Sequence, residues 1–195
     1  MRALLILLAV VSSACGDREA TPTLAERAAT LSGATTDTLL IEGSPQAVAY
    51  REVRGSSFPL PFEVRVPDPM AVATDTSGDG PSVRLTMGAP PADAQWAVVV
   101  LPETAAEGDA QATARRAAEA LGAVTDGTAA PTGALAAFET ERAGRTGSVW
   151  LGRHAGRFFY VLSDAAQETG DGFGPRREYL LQNWRWLDDG TTLAE

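Results

Sequence analysis

The one histidine of the chain, His154, is the residue on which most catalytic hypotheses depend. Ser148, Ser163 and Asp164 lie close to it in sequence, and a serine, a histidine and an acid are the parts of a nucleophilic triad. Neither serine lies in a Gly-x-Ser-x-Gly elbow, and His154 falls in a segment typical of a hairpin turn. We therefore interpret His154 as an exposed turn residue and expect no catalytic residues.

Candidate metal ligands are also few. A usual zinc site needs several histidine or cysteine ligands, and this chain has one of each. The segment from Asp75 to Gly80 resembles the start of a calcium loop, with oxygen ligands at alternate positions and glycine at the sixth. The twelfth position should be an acid but is Thr86, and Asp and Gly are ordinary turn residues. We favour a plain turn and expect no metal and no other cofactor.

Glu139 and Glu141 are the one carboxylate pair that shares a face of a predicted strand. Such a pair performs acid–base chemistry when one member is buried. Thr140 and Arg142 alternate with them and no apolar pocket is evident, so a solvated strand face is the favoured interpretation. A hydrolase with a distributed carboxylate site is the least favoured of three functional hypotheses.

The four tryptophans allow two interpretations. Core packing is favoured because large aromatic side chains dominate the cores of small domains, and the alternative is a ligand cleft between sheet and helix. Trp184 and Trp186 lie two apart in a predicted helix, so we expect one of them to be half exposed. Tryptophan and arginine are enriched at binding hot spots, which suggests a partner-binding patch. The candidate patch consists of Arg176, Arg177, Trp184, Arg185 and Trp186.

The elements that must position these residues follow from hydrophobic periodicity. Helix-forming residues predict one helix over 109–121 with its C-terminal cap at Gly122, and a second helix that opens at Pro175 and closes at Gly190. The order of elements predicts an α+β fold, an antiparallel sheet covered by helices. Strands are predicted from period-two alternation or short apolar runs over 47–53, 62–66, 82–87, 96–101, 135–142, 147–153 and 157–163.

The N-terminus has the pattern of a lipoprotein signal. Arg2 is followed by an apolar run too short to cross a bilayer, which needs about 20 residues. Small residues then precede Cys15, as in a lipobox, although Ser12 stands where a large aliphatic residue is usual. Cys15 is the only cysteine, so modification accounts for it better than an intrachain disulfide. We predict a signal peptide over 1–14 and lipidation of Cys15.

Length, composition and charge indicate how the rest of the chain is organised and which partners it does not suit. Residues 15–38 are predicted to be a flexible tether and residues 39–195 a single globular domain. The 195-residue chain has 16 Lys+Arg against 25 Asp+Glu, a net charge of −9. An acidic balance argues against nucleic acid and against a polybasic grip on anionic lipid.

The layout from Gln46 to Leu187 resembles the PsbP-like group. The resemblance is carried by the 62–67 strand that ends in proline, the 156–162 strand after a glycine turn, and the closing segment with Phe173-Gly174-Pro175 and Trp184-Arg185-Trp186. It implies an αβα sandwich and a binding or assembly module rather than an enzyme, and it transfers no site residues.

These observations predict a lipoprotein of the cell envelope, in the outer membrane if the cell is Gram-negative because Gly16 follows the lipidated cysteine. The favoured function is a non-enzymatic module that binds or assembles an envelope protein partner. The alternative is a carrier or sensor of a small apolar or sugar-like ligand held in an aromatic cleft.

The lipidation of Cys15 is testable in cells. We expect a labelled palmitate precursor to enter the wild-type chain and not the Cys15→Ser variant, because the thiolate is the acceptor of the lipid. Globomycin should cause the unprocessed wild-type precursor to accumulate. Normal processing under globomycin would contradict the assignment.

Overall fold

The computed structural model describes residues 35–193 with the exception of 77, 90 and 129. The predicted signal peptide, Cys15 and most of the predicted tether lie outside these residues. Strand β1 begins at Thr35, so the sheet starts a few residues before the predicted domain boundary at Leu39. Neither helix in the described part of the chain is long and apolar enough to span a membrane.

Two antiparallel sheets account for most of the described residues. The first has four strands in the order β1-β2-β3-β11. These strands are β1 (Thr35–Ile41), β2 (Ser44–Gly55), β3 (Phe62–Pro67) and β11 (Trp184–Trp186). The second has seven strands in the order β4-β5-β6-β10-β9-β8-β7. These are β4 (Ala71–Asp75), β5 (Ser82–Met87), β6 (Ala94–Val100), β7 (Ala123–Asp126), β8 (Ala136–Arg142), β9 (Arg145–His154) and β10 (Arg157–Ala166).

Two helices pack against these sheets. Helix α1 (Glu107–Leu121) lies on one face of the seven-stranded sheet, against β8, β9 and β10. Its buried residues Ala110, Ala114 and Ala118 have small side chains, which lets the helix approach the sheet closely. Helix α2 (Gly170–Asn183) follows a short 3-10 turn, Gln167–Thr169, and packs mainly on β3 and β1. The opposite face of the seven-stranded sheet therefore meets the four-stranded sheet and α2.

The expected α+β class and αβα sandwich are wrong, because the described chain is mostly strand in two antiparallel sheets with only two short helices. The face that the second helix was expected to cover is covered largely by the four-stranded sheet. The strand predicted over 47–53 lies within β2 of that sheet and is confirmed. Its partner β1 was not predicted, because only Leu39 and Ile41 of that strand are buried.

The C-terminal segment also differs from the prediction, because the second helix is followed by a short strand. Helix α2 begins at Gly170 rather than Pro175 and ends at Asn183, and Trp184–Trp186 then pairs with β3. Residues two apart in a strand point to the same face. Trp184 and Trp186 are therefore both buried, 0% and 2% exposed, and the expectation that one would be half exposed is wrong.

The remaining predicted elements are confirmed with small shifts of their ends. The helix predicted over 109–121 is α1, and the strands predicted over 62–66, 82–87 and 96–101 are β3, β5 and β6. The three strands predicted over 135–163 are β8, β9 and β10, which form a meander. Its turns lie at Ala143-Gly144 and Ala155-Gly156.

Trp184 is the most informative position for a stability test. Its ring stacks on Phe62 at 4.1 Å between centroids and lies 5.5 Å from the ring of Trp96, in the other sheet. We expect Trp184→Ala to lower the free energy of unfolding by about 3–5 kcal/mol, the usual cost of truncating a buried aromatic residue. Arg185→Ala on the exposed side of the same strand should change it by less than about 0.5 kcal/mol. Equal effects of the two variants in urea titrations would contradict the placement of Trp184.

Candidate functional site

The seven-stranded sheet is wider than its four-stranded cover, and the uncovered part forms a groove. One wall is the face of β7, β8, β9 and β10, and the other is helix α2. The groove has a larger part of about 540 Å³ and a smaller part of about 300 Å³, and each has a mixed polar and apolar lining. Ser148, Ser163 and Arg177 line both parts, so the two adjoin.

A row of laterally paired residues forms the floor of the groove. Thr125 pairs with Glu139, Glu139 with Ser148, Ser148 with Ser163, and Ser163 with Trp96. These five residues lie on five successive strands, and all five line the groove. The floor therefore changes from charged at Glu139, through two hydroxyls, to aromatic at Trp96.

Strand alternation explains why these side chains face the groove. Phe138, Val149 and Tyr160 belong to the core beneath α1, on the opposite face of the sheet. Their strand neighbours Glu139, Ser148 and Trp150 must then point the other way. The sequence thus places Glu139 and Ser148 on the face that the four-stranded sheet leaves uncovered toward the β7–β8 edge.

Three of the four charged side chains that line the groove lack partners within the described residues, and the fourth, Glu178, accepts a hydrogen bond from Gln182 Nε2 at 2.9 Å. Glu139 and Glu141 are exposed on β8, and Arg177 is exposed on α2. None of these three side chains makes a hydrogen bond or an ion pair with another described residue. Three charges of both signs thus face one concave site with free hydrogen-bonding capacity.

The two serines at the centre of the floor bond to each other. Their Oγ atoms lie 2.9 Å apart, and Ser163 is only 4% exposed. One hydroxyl donates to the other, so the second hydroxyl still has a proton to donate to a ligand.

The smaller part of the groove is the one that reaches the aromatic core. Trp96 and Trp150 contribute to its floor together with Val161, and Leu181 of α2 and Pro131 contribute to its sides. Trp150 is held edge-on against Phe159, with ring centroids 5.6 Å apart. Trp96 and Trp150 are only 1% and 6% exposed, so both belong to the core and close the base of this part of the groove, as the core-packing interpretation expected.

The predicted partner patch is not a surface in this fold, because Trp184 and Trp186 are buried. Arg176 is used internally, since its Nε donates to Asp68 O at 2.9 Å and its NH1 donates to Gly172 O at 2.7 Å. Burial lowers the pKa of Arg176. Arg185 is exposed on β11, and Arg177 alone of the patch lines the groove.

His154 does not form a triad with the nearby serines. Its Nε2 lies 2.8 Å from Asp188 Oδ1, and its ring stacks on Trp186 with centroids 4.8 Å apart. It is the last residue of β9 and its side chain is 11% exposed, so the exposed-turn interpretation is wrong. Asp164 instead pairs with Arg145 at 2.7 Å, and this hydrogen bond raises the pKa of Arg145.

Two carboxylate clusters that suggest metal chemistry are occupied by protein contacts. Asp188 and Asp189 lie near His154, with their ligand atoms within 4.8 Å of one another. Asp189 Oδ1 accepts hydrogen bonds from N and Oγ1 of Thr191, and these lower the pKa of Asp189. In the β4–β5 loop, Asp79 Oδ2 accepts a hydrogen bond from the Tyr160 hydroxyl at 2.9 Å. Burial, and then this bond, raise the pKa of Tyr160.

The sequence contained one unused signal for the groove. Ser148 directly precedes the apolar run 149–151 of β9, and Ser163 directly follows the apolar run 158–162 of β10. Glu139 shares their row only through the register of three strands. Arg177 was identified, but as part of the wrong surface.

Comparisons of the chain with family models, with curated proteins and with solved structures find no match. The resemblance to the PsbP-like group therefore stays a prediction, although the αβα sandwich that it implied is wrong.

Proposed function

We propose that this chain is a lipid-anchored protein of the cell envelope whose folded domain binds a small ligand in the groove without catalysing a reaction. The anchor is supported by Cys15 and the signal-like segment that precedes it. The binding role rests on one observation: the unpartnered side chains of Glu139, Glu141 and Arg177 line one groove.

A small ligand fits these features better than the protein partner that the sequence favoured. Ligand sites are concave, largely preformed and lined by aromatic residues with a few polar groups that fix orientation. The groove is concave, and its polar groups are the unpartnered charged side chains and the serine pair. The protein-partner hypothesis depended on a tryptophan–arginine patch, and both of its tryptophans are buried.

Binding without catalysis is favoured by the state of the polar groups. Carboxylate pairs hydrolyse substrates when one acid is buried, whereas Glu139 and Glu141 are both exposed. Ser148 and Ser163 bond to each other, and the groove lining includes no histidine to activate them. The arrangement therefore resembles a receptor site more than an active site.

Gly174 offers a direct test because a Cβ added there meets no atom within 4 Å and would enter the groove. We expect Gly174→Phe to fill the groove and to abolish saturation-transfer NMR signals from small aromatic and zwitterionic compounds that the wild type binds. Helix stability should not fall, because glycine is the poorer helix former by up to about 1 kcal/mol.

Gly108 provides the matched control. It also lies in a helix with open space around its Cβ, but in α1 on the far face of the seven-stranded sheet. Gly108→Phe should leave the NMR signals unchanged. Compounds that bind the Gly174→Phe protein as well as the wild type would place the site elsewhere and defeat the proposal.

A further inference from the structure

We propose that the segment from Leu24 to Leu31 docks as a short helix on the uncovered face of the β1–β2 hairpin. This segment lies outside the described residues and ends shortly before β1, which begins at Thr35. The docking makes the N-terminal segment part of the folded domain and sets the end of the hairpin from which the chain leaves it. It does not involve the ligand groove, so either of the two sites can exist without the other.

Helix α2 covers one face of the β1–β2 hairpin. The residues buried there are alternate members of the two strands together with one helix residue: Leu39, Ile41, Val48, Tyr50 and Tyr179. Because side chains alternate along a strand, the intervening residues point to the opposite face. They pair across the hairpin in three rows, Thr36 with Ala49, Thr38 with Ala47 and Leu40 with Pro45. We call these six residues the hairpin face.

The hairpin face carries no charge and is uncovered among the described residues. Five of its members are exposed and Ala49 is half-buried. Leu40 is 65% exposed, more than any other large apolar side chain in the described part of the chain. Further along the same side of β2, Val53 packs against the main core. The hairpin face therefore continues a surface that is buried elsewhere in the same strand.

The sequence before β1 has the start and stop signals of a short helix. Thr23 followed by Glu26 three residues later is a capping box, and Gly33 stands where a C-terminal cap belongs. The apolar positions between them have the spacing of one helix face: Leu24, Ala28 and Leu31. Isolated helices shorter than about 12–15 residues are marginal in water. A helix of this length therefore needs a surface on which to pack.

The length of the connection directs the segment to the hairpin face. Residues 32–34 span at most roughly 10–11 Å, and α2 already occupies the other face of the hairpin. The helix from Leu24 to Leu31 rises roughly 10 Å, close to the roughly 13 Å of strand from Thr36 to Leu40. In the antiparallel arrangement that the short connection imposes, Leu31 lies near Thr36 and Leu24 lies near Leu40.

A second copy of the chain suits the hairpin face less well than this segment. Five of the six side chains are threonine, alanine or proline, whereas a standard interface buries about 800 Å² on each partner. A segment joined to the surface by three residues has an effective concentration in the millimolar range. A small contact area is therefore sufficient within one chain and insufficient between two.

The docking changes how a chain anchored at Cys15 presents its domain. Without docking, the 20 residues from Cys15 to Thr35 extend at most about 66–72 Å. With Leu24 near Leu40, the free part has nine residues and extends at most about 30–32 Å. The chain then leaves the domain at the Glu42-Gly43 turn, so this turn points toward the membrane.

Spin labelling tests the docking in the full mature chain with Cys15→Ser, which leaves no native cysteine. A nitroxide on Ser44→Cys, at the turn of the hairpin, should broaden the amide signal of Leu24 more than that of Leu31. A label on Gly108→Cys in α1 should broaden neither. In an undocked chain Leu31 stays closer to the domain than Leu24, so equal broadening or stronger broadening of Leu31 would overturn the proposal.

Two serine variants show whether the hairpin face is responsible. Leu40→Ser removes its one large side chain and should abolish the difference between Leu24 and Leu31. Leu135→Ser is the matched control, because Leu135 is also a large apolar residue on the surface, 40% exposed, and should leave the difference intact. A difference that survives Leu40→Ser would contradict the docking position.

Mixing experiments separate docking within one chain from docking between chains. Isotope-labelled protein without nitroxide is mixed with spin-labelled protein of natural isotope abundance. We expect no broadening of Leu24 in the mixture. Broadening there would mean that the segment packs on a second copy, which would overturn docking within one chain.

Discussion

The contact of Trp184 with Phe62 and Trp96 joins the two sheets of this protein. Trp184 lies on the short strand β11 of the smaller sheet, stacked on Phe62 of β3 with an interplanar angle of 13°. It also meets Trp96, which lies on β6 of the larger sheet. Trp186, two residues later, packs edge-on against Phe159 of the larger sheet. Aromatic contacts of this kind contribute roughly 0.5–1.5 kcal/mol each beyond the burial of their area.

This junction also fixes the position of helix α2, because Asn183 at the helix end is followed directly by Trp184. Phe173 and Leu180 of the helix belong to the same core as the tryptophans, and Tyr179 packs on β1 and β2. Burial raises the pKa of Tyr179 to about 12, with the carboxylate of Asp37 as the next cause. With α2 held at these points, Arg177 lines the groove, and the exposed face of β7 and β8 is left as its open side.

Local patterns predicted the elements that depend on local sequence. Alternation in the Phe62–Pro67 segment and alanine-rich periodicity in α1 are signals that tertiary contacts did not override. In the segment Trp184–Trp186, tertiary contacts did override the local pattern. Leu180, Trp184 and Leu187 have helical spacing, so the segment fitted a helix, but the free edge of β3 offered backbone pairing and both tryptophans gained full burial. No local pattern shows which edge of a distant strand is free.

The candidate site, like the fold, could be predicted from the sequence only in part. The shared face of Glu139 and Glu141 and the role of large aromatics in the core followed from sequence spacing alone. The floor of the groove did not, because it depends on the register of five strands and on where the smaller sheet ends. His154 was misjudged for a similar reason, since its partners Asp188 and Trp186 come from the end of the chain.

The central claim is that the open face beneath α2 is a ligand site. Amide chemical-shift mapping of the isotope-labelled protein, during titration with a small compound that gives saturation-transfer signals with the wild type, tests it most directly. The account predicts saturable shifts concentrated at Thr125, Glu139, Ser148, Ser163 and Arg177, with α1 and the β1–β2 hairpin unaffected. Shifts that cluster on α1 or on the β1–β2 hairpin, with the groove residues unchanged, would contradict it.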